Sequence, residues 1–278
     1  MKNIFRLIIL LAFFSCNRSI DNTVKLMSFN IRLDTERDGE NRWDKRKESM
    51  VNLLNNYKPS IIGIQEGLPH QVEYLDSVLK NYSFIGVGRD NGKNEGEYSA
   101  IFYDSLLFKV TNSSTFWLSE FPDSVSFGWD AACRRICTYG LFENTSTHQQ
   151  FWVFNTHFDH VGTVAREKSA QLILSRIKEL NRKGLPVILM GDFNSTNESK
   201  PIQTICLTMN DSYTISEALP NGPKGTFNGF NPSILPEDRI DYIFVSGFGV
   251  WSYTSINDRR ADGFFISDHF PVLVELHI

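Results

Sequence analysis

A chain of 278 residues is long enough for one large domain with a sizeable core. A composition of 41% hydrophobic, 13% aromatic and 22% charged residues excludes a disordered, collagenous or coiled-coil protein. The formal charge of −4 becomes more negative once Lys2 and Arg6 of the N-terminal segment are set aside, which disfavours a reader of long nucleic acid.

Residues 1–15 combine a basic start, an apolar run over 7–14 and the small residue Ser15, the pattern of a secretion signal. The run is far shorter than the roughly 20 residues needed to span a bilayer. Cys16, directly after Ser15, resembles the acylated cysteine of a bacterial lipobox. The expectation is a signal peptide at 1–15, a lipid-anchored tether at 16–23 and a single domain at 24–278. The protein would then be exported across the bacterial inner membrane and held at a membrane, in the periplasm or at the cell surface. With Cys16 acylated, Cys133, Cys137 and Cys206 could form one pair or stay as buried thiols.

Short apolar runs then alternate with stretches of helical period. Residues 24–33 read as a strand, and 43–57 as a helix with Met50, Leu53, Leu54 and Tyr57 on one face. The continuous run 61–64 suits a strand buried on both faces. Val72, Leu75 and Leu79 mark a second helix. The segments 82–110 and 136–158 are rich in β-branched and aromatic residues and read as strands. Residues 164–180 form a third helix, 187–190 another buried strand, and 241–245, 250–256 and 270–278 the last strands.

A repeat is visible within this order. An apolar strand ends on Asn30 and the next buried strand leads to Glu66; likewise one reaches Asn155 and the next leads to Asp192. A duplicated unit would form a two-sheet sandwich with strand ends from both halves meeting at one edge, where α/β folds commonly bind ligands.

Apolar strands that end in charged or amide side chains need an explanation, because a buried carboxylate without a partner is costly. Six segments do so: Phe29-Asn30, Gln65-Glu66, Asn155-Thr156-His157, Asp192-Phe193-Asn194, Arg239-Ile240-Asp241-Tyr242 and Ser267-Asp268-His269. Hard oxygen donors without a cysteine–histidine cluster favour Mg²⁺, Mn²⁺ or Ca²⁺ over Zn²⁺. Histidines beside those carboxylates supply acid–base partners, and the combination points to metal-assisted cleavage of a phosphoester.

Together these segments resemble, in family order across the whole of 24–278, the endonuclease/exonuclease/phosphatase superfamily. The resemblance implies a four-layer α/β sandwich, two packed mixed sheets flanked by helices, and a divalent metal, usually Mg²⁺ with Mn²⁺ as a substitute. By the same resemblance Glu66 would be the principal metal ligand, with Asn30 and Asp268 completing or hydrogen-bonding its shell. Asp192 would orient or deprotonate the attacking water, and Asn194 would hold that water or a phosphate oxygen. His269, held by Asp241, would bind phosphate or act as general base, and His157 would donate to the phosphorane or the leaving oxygen. Tyr98 corresponds to a family tyrosine near the phosphate, and Asn155 joins it as a substrate contact. Arg134 and Arg135 are candidate phosphate clamps, since arginine grips phosphate bidentately. Asp159 and His160 would shape the pocket rim.

By this resemblance the substrate would be a phosphate ester: a nucleotide, nucleic acid, phospholipid or sugar phosphate, cleaved as a mono- or diester. The aromatic and basic stretch with Trp117, Phe127 and Trp129 would stack a base, meet lipid or pack the core. A monomer is expected. The rival from another class is a lipid-anchored binding protein that keeps the fold without the activity.

Overall fold

The computed structural model describes residues 23–277, so the signal and acylation motifs around Cys16 lie outside the described residues. From β1 (Thr23–Asn30) the chain passes through a 3-10 turn and α1 (Trp43–Tyr57) to β2 (Ile61–Gln65), parallel to β1. Helix α2 (Pro69–Val78) starts on a proline, whose missing N–H costs nothing in a first turn. It leads to β3 (Tyr82–Ile85) and β4 (Ile101–Asp104). The strands β5 (Phe108–Trp117), β6 (Ile136–Asn144) and β7 (Gln150–His157) form an antiparallel meander. Helix α3 (Thr163–Leu180) then returns the chain to β8 (Val187–Asp192), parallel to β7. A short α4 (Lys200–Cys206), β9 (Asn210–Asp211) and α5 (Ser212–Ile215) precede β10 (Asp241–Ser246), β11 (Gly249–Ser255) and β12 (Val272–His277).

The strands make two mixed six-stranded sheets, β11-β12-β1-β2-β4-β3 and β5-β6-β7-β8-β10-β9. Leu26, Ile61, Val153, Ile188, Ile243 and Val274 pack between them. On the outer face of the first sheet, Trp43, Met50, Leu54 and Val72 of α1 and α2 cover Met27 and Ile62. On that of the second, Ala170, Ile173, Ile202 and Ile205 of α3 and α4 cover Leu189 and Phe244. Each such side chain contributes roughly 1.5–3 kcal/mol on burial, so three apolar layers hold the four-layer sandwich. Coverage on both sides explains why β2 and β8 are buried along their whole length and read as continuous apolar runs.

The repeat is visible in the topology. Strands β12-β1-β2-β4 and β6-β7-β8-β10 share the same succession of antiparallel, parallel and antiparallel neighbours. Register corrects one detail. Asn30 pairs with Gln65 and His157 with Asp192, so at the strand ends His157 stands where Asn30 does and Asp192 where Gln65 does, while Asn155 lies two residues before the end of β7. The parallel strands β1, β2, β7 and β8 all end at one rim. Strands β10 and β12 run antiparallel to their neighbours and therefore begin there, which brings Asp241 and residues 267–269 to the same place.

Two stretches differ from expectation. Strand β5 continues past Val110 to Trp117, because its polar residues are those of a solvent-facing sheet edge and carry no apolar signal. Within 82–110 the strands are interrupted by a loop over 86–100, which forms one wall of the cleft described below.

The expectation that Asn155 contacts substrate is also corrected. Its side chain is fully buried between the sheets, where Nδ2 donates to Ile64 O at 2.8 Å and Ala100 O at 2.9 Å. Its Oδ1 accepts from Gln65 Nε2 at 2.7 Å, so every polar atom is used inside the protein. Asn155→Ala would leave two carbonyls and the Gln65 amide without this partner. The expected loss is about 1–3 kcal/mol of unfolding free energy in denaturant titrations; an unchanged transition midpoint would show that the bridge is dispensable.

Candidate active site

Local backbone conformation aims the key side chains. Glu66 follows β2 at φ 61° and Asn194 follows β8 at φ 46°, left-handed conformations that are unfavourable for most side chains and recur at functional sites. Gly191 has φ 151°, and a Cβ there would lie 2.0 Å from Thr156 O. Only glycine lets β8 approach β7 this closely just before Asp192.

The side chains converge on Asp192. Its Oδ1 accepts from the Asn194 backbone at 2.9 Å, and its Oδ2 accepts from Asn30 Nδ2 at 3.0 Å. The same oxygen lies 3.4 Å from His157 Nε2 and 3.7 Å from His269 Nε2. His269 Nδ1 is 2.8 Å from Asp241 Oδ2. Asn194 Nδ2 donates to Phe158 O at 3.0 Å and lies 3.1 Å from His157 Nε2. Asn30 Nδ2 also donates to Glu66 Oε1 at 3.0 Å, while its own oxygen accepts from Arg32 N. Since the amide nitrogen faces the two carboxylates, Asn30 is a hydrogen-bond bridge between Glu66 and Asp192.

Electrostatics separate the two histidines. Burial would lower His269, but the carboxylates of Asp241 and Asp192 outweigh it and hold the imidazolium well above its ordinary range. For His157 burial, reinforced by the Arg135 charge, holds the ring well below that range, so it is a neutral hydrogen-bonding group. Burial and the charge of Asp241 push Asp192 up. Glu66 would be raised by burial, yet the Asn30 hydrogen bond, His269, the Leu33 N–H and Arg32 keep it lowered.

The site opens into a cleft of about 600 Å³, lined by Glu66, His157, Asp192, Asn194, Asp268 and His269 among others. Arg135 and His160 also line it. Arg134 does not: it reaches Asp90 at 3.3 Å and stacks on the exposed ring of Phe127, so of the two arginines only Arg135 faces the cleft. Tyr98 is likewise outside, its hydroxyl donating to Lys93 O; the adjacent Glu97 is the residue that faces the cleft. Asp159 is buried and accepts from Val161 N and Gly162 N at the start of α3, which leaves the rim to His160. Trp117 packs inward with its indole on Arg89 O. Cys133, Cys137 and Cys206 are unpaired, and Cys206 is exposed, which settles the open question of disulfides within the described residues.

Beyond Arg135, sequence reasoning missed the cations around this site. Arg32 is held by both oxygens of Asp38 and brings Nη1 to 3.8 Å from Glu66 Oε2 and 3.7 Å from Asp268 Oδ2. Arg46 is fully buried in α1 and donates to the carbonyls of Ile31, Arg32 and Asn41, fixing the turn that carries Arg32. Arg32 stands two residues after Asn30, close enough in sequence to have been considered with it. Glu66 and Asp268 both present hard carboxylate oxygens to the open cleft, the donor type a divalent cation takes. Acidic and histidine groups that could bind a metal also include Glu66 with His157 and Asp192, and Asp192 with Asp241 and His269.

Comparison with known proteins agrees with this geometry. The model of the "Endonuclease/Exonuclease/phosphatase family" matches residues 27–269. The structure of a mannosyl-6-phosphatase from Bacteroides thetaiotaomicron is 38% identical and superposes with a TM-score of 0.88, covering 92% of this chain and 100% of that one. An endonuclease/exonuclease/phosphatase from Bacteroides vulgatus is 39% identical at TM-score 0.87, covering 92% and 99%. An uncharacterized protein of Acanthamoeba polyphaga mimivirus is 27% identical over 251 residues, 84% of this chain and 91% of that protein.

The contrast between the histidines is directly measurable by NMR titration of the metal-free protein. The His269 ring is expected to stay protonated above neutrality while His157 stays neutral below it, and Asp241→Asn should lower the His269 midpoint. Equal midpoints near the ordinary histidine value would contradict this assignment.

Proposed function

Because the chain belongs to the endonuclease/exonuclease/phosphatase family, we propose that it is a divalent-metal-dependent phosphoesterase that hydrolyses a small phosphate ester by in-line attack of water. The observation that carries the reading is the convergence of Asn30, His157 and His269 on a single oxygen of Asp192, within 3.7 Å, facing the cleft. Glu66 and Asp268 would hold a Mg²⁺ or Mn²⁺ ion, which when bound would draw charge from the phosphoryl oxygens.

The chain's own groups account for the remaining work. Asp192 positions the water and takes its proton as the new P–O bond forms and the ester P–O bond breaks. Asn194 holds a phosphoryl oxygen or that water. His269, kept charged and oriented by Asp241, faces the negative charge that grows on the phosphoryl group. His157 donates a hydrogen bond to the leaving oxygen. A half-enclosed cleft and a net acidic chain favour a small ester over a long duplex, and the mannosyl-6-phosphatase likeness supports a monoester. Cys16 supports export and a lipid anchor, which detergent partitioning of the intact protein checks; a wild type found wholly in the aqueous phase contradicts it.

EDTA is expected to abolish hydrolysis of p-nitrophenyl phosphate, with Mg²⁺ or Mn²⁺ restoring it and Glu66→Gln raising the metal concentration required. Asp192→Asn and His269→Ala should each lower kcat by roughly 10²- to 10⁴-fold. Asp241→Asn should cost less and be strongly non-additive with His269→Ala, because it acts through that ring. Full activity in EDTA would refute the metal reading, and normal turnover in His269→Ala would refute the assignment of roles.

A further inference from the structure

Beyond His157 the cleft has a second charged wall that the hydrolytic step does not use. Glu97 is gripped at both oxygens by Arg89, with Nη1–Oε2 at 2.7 Å and Nη2–Oε1 at 2.6 Å. Arg135 is almost wholly buried; its Nε lies 3.4 Å from Asp159 Oδ2 and its Nη2 lies 3.0 Å from His160 Nδ1. Its Nη1 has no hydrogen-bond partner, although Glu97 Oε2 stands 4.0 Å away. All four of Arg89, Glu97, Arg135 and His160 line the cleft, and the first three enclose a small void together with His157. The exposed ring of Phe227 also lines the cleft and lies against His269 with centroids 5.0 Å apart.

We infer that this wall is the leaving-group subsite and that Glu97 and Arg135 read the hydroxyl groups of a compact polyol phosphate monoester, of which a sugar phosphate is the representative class. The inference rests on the phosphoesterase reading and deepens it. A buried guanidinium N–H without an acceptor calls for one from the ligand. A second phosphate would require excess positive charge, but here each arginine is matched by a carboxylate, Arg89 by Glu97 and Arg135 by Asp159. A wall of matched charges offers donors and acceptors side by side, which suits a hydroxyl, since it both donates and accepts. The Glu97 oxygens accept the hydroxyl proton while Arg135 Nη1 donates to a hydroxyl oxygen. A long acyl chain would meet the charged groups of Arg89, Glu97 and Arg135 along this wall, and Phe227 offers one flat face on which a ring can rest.

The experiment compares kcat/KM of the Mg²⁺-loaded full chain for a hexose 6-phosphate, its single-deoxy analogues, p-nitrophenyl phosphate and bis(p-nitrophenyl) phosphate. At least one deoxy analogue is expected to lose roughly tenfold or more, because a site built to bind a hydroxyl is left with unpaired groups when it is missing. Glu97→Gln and Arg135→Lys should each depress the hexose phosphate at least about tenfold more than p-nitrophenyl phosphate. A flat response across the deoxy analogues, equal losses on both substrates in the variants, or a preference for the diester would overturn the inference. The analogue series uses wild-type protein, so it stands even where a variant fails to fold. Hydrolysis of p-nitrophenyl phosphate without discrimination among the sugars removes this inference alone; hydrolysis of none of the esters removes the phosphoesterase reading with it.

Discussion

Four carboxylates lie almost wholly beneath the surface at one rim of the sandwich: Glu66, Asp192, Asp241 and Asp268. Such a concentration of buried negative charge is unfavourable unless it is compensated, and the surrounding structure supplies the compensation. His269 sits between Asp241 and Asp192, Arg32 between Glu66 and Asp268, and the Asn30 amide between Glu66 and Asp192. Arg46 is buried completely to hold the Arg32 turn, with Asp268, Asp38 and Glu66 opposing the downward pull of burial on its charge. A protein selected for stability alone would have little reason to assemble this cluster, which suits the proposed holding of a cation against a phosphate.

The fold makes the cluster affordable to build because two crossover units deliver strand ends to the same rim. Parallel pairs β1–β2 and β7–β8 end there, and antiparallel β10 and β12 begin there. Three apolar layers hold those ends rigidly, and the amide bridge from Asn155 to Gln65, Ile64 and Ala100 fixes one sheet on the other just beneath the site. Residues that look like parts of one catalytic motif thus divide their work: in Asn155-Thr156-His157 the asparagine joins the sheets and the histidine faces the cleft.

That division also marks how far the sequence could be read. Polar residues closing apolar runs are conspicuous because the pattern breaks a rule of burial, and Glu66, His157, Asp192, Asp241, Asp268 and His269 all lie at the rim for that reason. Alternation on a strand decides which face a residue takes, so Asn155, two positions before His157, could not be separated from it without the register. Arg32, Arg89 and Glu97 lie in irregular segments, where no periodicity signals direction. Tyr98 and Arg134 illustrate the same limit: each is one residue from a side chain that does face the cleft, Glu97 and Arg135, and loop geometry alone decides which of the neighbours turns inward. The middle of β5 carries no apolar signal for a related reason, since an edge exposed to water has no need of apolar residues.

The central claim is that Glu66 and Asp268 form a cation site beside the Asp192–His269–Asp241 group. Calorimetric titration of Mn²⁺ into the metal-free protein tests it without any assumption about substrate. Saturable binding is expected in the wild type, markedly weaker binding in Glu66→Gln and in Asp268→Asn, and unchanged binding in Asn155→Ala once folded protein is matched. Equal affinity in the wild type and both carboxylate variants, or no binding in the wild type, would contradict the account.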